Sequence, residues 1–173
     1  MKWISHTAIA AAICAPINPA AVPAACLGAT APDWLEWVER AALGHHVKHR
    51  GHTHYLAVWL LVAAFGLFVW DFRGWITWFG LGGSSHWLCD ALTIQGVPIG
   101  WWSDRRVHVF GGRIRTGGGA EFIIAAMVVG IAAVVTWQTG AGGFLPFFYH
   151  WGGLYDQGII DGIEWRAHRF DFL

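Results

Sequence analysis

The sequence predicts an all-α integral membrane protein: one domain over residues 1–173, built as a helical bundle of about four spans behind an N-terminal broken helix or re-entrant hairpin. Three observations predict it. Of the 173 residues, 55% are hydrophobic and 13% charged, against about 45–50% and about 25% in an average soluble domain. Several stretches run almost without charge for the length of a helix. The 13 tryptophans are side chains that gather at the boundary between lipid and water.

Taken in order, the first segment reads MKWISHTAIAAAICAPINPAAVPAAC, superficially a cleaved signal peptide or a lipoprotein signal ending at Cys26. His6 interrupts its apolar run, so the segment is expected to be retained. Pro16, Pro19 and Pro23 forbid one continuous helix, because each removes a backbone donor and clashes with the preceding turn. Tyr55 to Trp70 carries no charge and makes about 24 Å of helix, the clearest span. Asp71 to Gly74 is a polar turn, and Trp75 to about Leu92 returns, apolar except at Ser84, Ser85, His86 and Asp90. The glycine-rich stretch from Gly111 to Gly119 reads as a loop. Ala120 to Trp137 is a third span, charged only at Glu121, and Phe144 to about Ile163 a weaker fourth.

Alternating spans put Lys2, Arg40, Lys48, Arg50, Arg105, Arg106, Arg113, Arg115, Arg166 and Arg169 on one side and Arg73 on the other. The positive-inside rule makes the basic side cytoplasmic, and a bacterial inner membrane is the expected location. Eleven basic residues balance eleven acidic ones, which disfavours nucleic acid as a partner. Cys14, Cys26 and Cys89 have no CxxC spacing, which argues against a disulfide framework or a zinc ribbon.

The chemistry concentrates in few places. His45, His46, His49, His52 and His54 crowd ahead of the first clear span, either as a solvated entry loop or as a metal-binding tract. His86 and Asp90 stand one helical turn apart inside an apolar helix, where an ionisable pair is costly unless it is paired, solvated or holds a cation. Topology brings His49, His54, His86, Asp90 and Glu121 toward one membrane face, and a hairpin would return His6 and Asp33 to it. Imidazoles and carboxylates at one depth suit a divalent cation, zinc foremost, as one ion or two. Arg50 is equally an anchor or an anion clamp. His49 and His54 cannot both point inward from one regular helix, so Arg50 to Thr53 is expected to be an irregular turn with Thr53 capping the next helix. His45, His46 and His52 are expected to face solvent or lie behind the ligands, and His108, His150 and His168 to be surface residues.

The runs HRGHTH at His49 to His54, GSSHWLCDALTIQGVP at Gly83 to Pro98 and RTGGGAE at Arg115 to Glu121, with His6 and Pro32-Asp33, resemble the YdjM-like, LexA-binding, inner-membrane-associated metal-dependent hydrolases. That family is thought to be distantly similar to the zinc phospholipase C and P1 nuclease bundle. The resemblance implies His6, Asp33, His49, His54, His86 and Asp90 as metal ligands, with Glu121 a further candidate. Where the family often carries a second Asp and a His after Pro-Asp, this chain has Trp34, Leu35 and Glu36. Glu36, one turn after Asp33, is the candidate replacement. The function implied is hydrolysis of a phosphoester or related ester, with Arg50, Glu36 and Glu121 as candidate catalytic groups. The substrate would be a small molecule or a lipid. The alternatives are a metal-stabilised membrane protein that docks a protein partner, and a haem b or ion-conducting protein.

Overall fold

In the computed structural model, which describes residues 1–44, 49–139, 155–156, 158 and 161–163, the described chain forms five α-helices and one two-stranded antiparallel hairpin. Helix α1 (Trp3–Cys14) stops short of Pro16, a 3-10 turn covers Pro19–Ala21, and α2 (Val22–Leu43) accepts Pro23 in its first turn, where no intrahelical donor is lost. The prolines thus make the hairpin read from the sequence. Its arms run antiparallel: the Trp3 indole meets Asp33 at the open end, while Cys14, Ala21 and Ala25 share a core at the closed end. Gly44, at φ 67°, ends α2 in the left-handed conformation that suits glycine.

Helices α3 (Leu56–Phe68) and α4 (Trp75–Ala91) form a second hairpin. The Asp71 carboxylate at its turn accepts the Ile76 and Thr77 N–H groups at 2.8 and 2.9 Å, satisfying donors at the start of α4 that lack intrahelical partners. Helix α4 is the centre of the molecule because its glycines let neighbouring backbones touch. A Cβ at Gly82 would stand 2.2 Å from the Ala25 carbonyl oxygen of α2, one at Gly80 2.3 Å from the Ala63 nitrogen of α3, and one at Gly28 of α2 2.0 Å from the Phe79 oxygen of α4.

Strands β1 (Val97–Gly100) and β2 (Ser103–Val107) pair with Val97 opposite Val107. This hairpin corrects the purely α-helical expectation. Fully buried Val97 packs on Trp87 and Ala91, and the Trp87 indole donates to the Pro98 carbonyl at 2.7 Å. Helix α5 (Gly119–Thr139) then packs its Ala125 among Met1, Ile9 and Cys89. Cys14 and Cys89 are buried free thiols and Cys26 is half-buried.

Among the described residues one helix, Gly119–Gln138, is long and apolar enough to cross a bilayer; four spans are not shown. The 13 residues of α3 make about 20 Å of helix, short of a hydrocarbon core of about 30 Å, because Tyr55 is extended and the helix ends at Val69. The fourth expected span lies mostly outside the described residues, and Arg166, Arg169 and Lys48 lie outside them altogether. The surface is nevertheless apolar in a way water tolerates poorly: Leu60, Leu61 and Phe65 of α3 and Ile123, Met127 and Ile131 of α5 are all exposed.

Candidate metal centre

Five chain segments meet toward one end of the bundle: the starts of α1 and α5, the middle of α2 around Asp33 and Glu36, the last turns of α4, and the 3-10 turn His52–His54 before α3. Lys2, Arg50 and Arg106 lie at this end, Arg106 donating to the Gln95 and Gly96 carbonyls, and Arg73 lies at the α3–α4 turn, where its carbonyl accepts from Asn18. The convergence brings His6, His54, His86, Asp33 and Asp90 together. Donor atoms of His6, His86 and Asp90, and those of Asp33, His54 and His86, fall into two groups that share His86, each within 4.8 Å. The His6 and His86 rings stack at 3.8 Å, and the His54 ring stands 5.0 Å from His86.

The donor atoms fit a cation better than they fit one another. Asp90 lies 3.5 Å from the Nε2 atoms of both His6 and His86, and Asp33 lies 3.3 Å from His54 Nε2 and 3.9 Å from His86 Nε2. Good N–H···O bonds measure about 2.7–3.2 Å, and all three Nε2 atoms are buried without a hydrogen-bond partner. Metal–ligand bonds of about 2.0–2.1 Å in a tetrahedral shell separate donors by about 3.3–3.4 Å. Buried lone pairs of nitrogen and anionic oxygen at that spacing could hold a cation.

A surrounding layer of hydrogen bonds aims those donors. His86 Nδ1 lies 2.7 Å from the Ala29 carbonyl of α2; as it donates there, the proton sits on Nδ1 and the Nε2 lone pair faces the cluster. His54 Nδ1 stands 3.1 Å from Glu36 Oε1, so a carboxylate does the same for the second imidazole. Burial disfavours the charged form of His54, and the Asp33 and Glu36 carboxylates outweigh it, holding its pKa above the ordinary 6.5. Glu36 also accepts the Arg50 N–H at 2.8 Å and lies 2.8 Å from His49 Nδ1. It therefore shapes the loop from behind and is not among the converging donors.

The remaining predicted residues are placed as follows. Arg50, at φ 58° and buried, points inward: its Nη2 pairs with Asp90 at 2.7 Å and its Nη1 donates to Thr93 Oγ1 and the Gly96 carbonyl. His49 is exposed and outside both donor groups. Glu121 is fully buried and accepts the Lys2 N–H, the Ser5 hydroxyl and the Gly117 N–H at 2.6–2.7 Å, pinning α1 to the start of α5. Thr53 does not cap α3; its hydroxyl faces His54 Nδ1 and Glu36, and the helix begins after Tyr55. The turn itself is irregular as expected. His52 is exposed on Glu39, His108 is exposed beside the Thr93 carbonyl, and His45, His46, His150 and His168 lie outside the described residues.

Two groups were not read from the sequence. The Trp3 indole donates to Asp33 Oδ2 at 2.6 Å and packs on Trp37 at 5.2 Å, and the Met1 amino group donates to Asp90 Oδ1. No spacing rule links a tryptophan to a carboxylate thirty positions away. Above the cluster lies a cleft of about 620 Å³ that reaches Asp33, Asp90 and Arg50. Asp33, 17% exposed, stands at the boundary between the buried donors and that cleft.

Residues 1–158 match the family described as YdjM inner membrane protein. No curated protein and no solved structure matches the chain, so the likeness to a phospholipase and nuclease bundle stays an implication of the sequence resemblance.

Proposed function

Because the chain belongs to the YdjM inner membrane protein family, we propose that it is a membrane hydrolase that works with a divalent cation, zinc foremost, on a phosphoester at the cytoplasmic face. The observation that carries the reading is the set of three buried, unpartnered Nε2 atoms facing two carboxylates beneath an open cleft. A cation with structural work alone takes a closed shell of protein ligands; a cleft reaching Asp33 and Asp90 favours one with room for substrate. The basic end of the molecule supports the cytoplasmic orientation.

His6, His54, His86, Asp33 and Asp90 would hold the cation, one ion or two sharing His86. A cation so held lowers the pKa of water toward about 7 and stabilises an anionic transition state. The chain's own groups do the rest. Ala29 and Glu36 keep His86 and His54 turned with Nε2 inward. Trp3 fixes Asp33, and Arg50 fixes Asp90. His49, exposed at the cleft and held by Glu36, would be the group that gives a proton to the leaving oxygen, a role that requires it to come within hydrogen-bond reach of the bound ester.

The test is elemental analysis and phosphodiester hydrolysis by detergent-purified protein. Near-stoichiometric metal is expected, lost in His86→Ala and Asp90→Ala, while His49→Gln retains metal and loses about 10²-fold or more in turnover. Full metal content in a His86→Ala/Asp90→Ala double variant overturns the assignment.

A further inference from the structure

The segment from Ile99 to Arg115 displays aromatic and cationic side chains together. Trp101 and Trp102, at the tip of the β1–β2 hairpin, are 65% and 61% exposed and stand edge to face at 5.0 Å. Phe110, in the 3-10 turn Val109–Gly111 that follows, is 86% exposed and holds φ at 50°, a region in which a bulky side chain is strained. The ring is thus held out from the fold at a conformational cost, while its neighbours Val107 and Val109 are the residues that pack on Trp87 and Ala91. Arg105, Arg106, Arg113 and Arg115 are exposed in the same stretch, which contains one acidic residue, Asp104. Arg106 donates to the Gln95 and Gly96 carbonyls, which leaves Arg105, Arg113 and Arg115 for a ligand. The stretch is tied to the end of α4 by the Ile114 N–H, which donates to the Leu92 carbonyl, and it runs on into α5, the described helix long enough to cross a bilayer.

A spanning helix fixes the depth of what precedes it, so residues just ahead of α5 come to lie among headgroups. Exposed indoles settle at that depth, and arginines beside a spanning helix attract anionic lipids. An apolar partner would desolvate the arginines without pairing them, and a soluble anion would leave the three rings in water; a headgroup layer of net negative charge accepts both. We propose that the β1–β2 hairpin and the turn after it form a second, peripheral membrane contact, in which Trp101, Trp102 and Phe110 enter the headgroup layer and Arg105, Arg113 and Arg115 bind the phosphates of anionic phospholipids. Membership of an inner membrane family places the chain in a bilayer; this surface selects the lipids that gather beside α5. None of these six residues lines the cleft over the candidate centre, so the inference does not rest on the cation reading.

The experiment places the full chain in nanodiscs of phosphatidylcholine, either alone or with about one third phosphatidylglycerol, so that only the surface charge differs. Cys26→Ala removes the half-buried thiol, and Phe110→Cys carries an NBD fluorophore whose emission distinguishes lipid from water. The ratio of lipid-buried to water-exposed probe is expected to be at least about tenfold higher with phosphatidylglycerol, since each arginine near an anionic surface supplies about fivefold. In Arg105→Gln/Arg113→Gln/Arg115→Gln that preference falls to about twofold or less, whereas Arg105→Lys/Arg113→Lys/Arg115→Lys keeps it. Trp101→Ala/Trp102→Ala is expected to expose the probe to water in both mixtures by removing the indoles that hold the hairpin at the interface. Salt at about 1 M, where charges are screened beyond about 3 Å, abolishes the preference with the arginines in place, so the test does not depend on the folding of a variant. Equal ratios in the two mixtures overturn the proposal, as does a preference that survives the Gln substitutions or the salt. A probe in water in both mixtures before any Trp or Arg substitution overturns it in favour of a soluble partner for the hairpin.

Discussion

Replacing Glu36 with Gln isolates what a carboxylate behind the centre contributes, because it removes the charge and keeps the shape. Glu36 Oε1 serves His54 Nδ1 at 3.1 Å and the Arg50 N–H at 2.8 Å, and Oε2 lies 2.8 Å from His49 Nδ1. In Glu36→Gln the amide oxygen can still accept from His54 and Arg50, and the amide N–H can face a His49 nitrogen lone pair. The pattern of bonds survives while each loses charge assistance, a difference of about 1 kcal/mol per bond. Two bonds to Oε1 give about 2 kcal/mol of stability, a sizeable part of the 5–15 kcal/mol typical of a domain. Loss of the carboxylate also makes the His54 imidazole a poorer donor, which costs about 10–100-fold in metal affinity. Chelator competition measures the affinity, and thermal unfolding of the metal-free protein measures the stability. Both are expected to fall. Unchanged zinc affinity beside a lowered Tm would refute the reasoning, since Glu36 would then hold only the loop and exert nothing through His54.

Three further outcomes follow from other parts of the fold. Gly82→Ala places a methyl group 2.2 Å from the Ala25 carbonyl oxygen, so α2 and α4 must separate; a loss of about 1–3 kcal/mol is expected, and thermal unfolding unaltered from the parent would show that the helices are not in backbone contact. The raised pKa of His54 predicts opposite pH dependences: in metal-free protein its contribution is fully present below the ordinary 6.5 and is lost as pH rises through the higher folded value, whereas metal affinity rises over the same interval as protons leave the ligands. A metal-free Tm that does not decline between those pH values contradicts the pairing of His54 with Asp33 and Glu36. A cysteine introduced at Arg113, among the basic residues near the centre, is expected to react with a membrane-impermeant maleimide only in inverted vesicles, and labelling in intact spheroplasts would reverse the orientation.

The parts of the fold that sequence made legible are those written in one stretch of chain. The helices α3, α4 and α5 stand close to where the apolar runs place them, and three prolines locate the break between α1 and α2. His86 and Asp90 were readable because i and i+4 share a helix face whatever surrounds it. What was not legible depends on partners distant in sequence. Arg50 reads equally as anchor or anion clamp until Asp90, Thr93 and Gly96 are placed around it. Glu36 resembles a spare ligand until the turn at His54 shows which side of it faces the imidazoles. The β-hairpin escaped notice because Gly96 and Pro98 signal a turn, and four residues of strand are too short to show an alternation against that signal.

The carbonyl of Ala29, described as the acceptor for His86, sits in mid-helix on α2 and has a second lone pair to spare. Through it and Asp33, α2 contributes to a centre whose other members come from α1, the turn at His54 and α4. During synthesis, therefore, the ribosome must extrude nearly everything from His6 to Asp90 before any ion can meet its full complement of donors. A chain halted after α3 would hold His6, Asp33 and His54 without the imidazole common to both donor groups. On the proposed cation reading, metal acquisition would come late in biogenesis, as an event that registers the docking of α4 between its neighbours, and the cell's metal supply would be a condition on maturation after insertion and not on insertion itself.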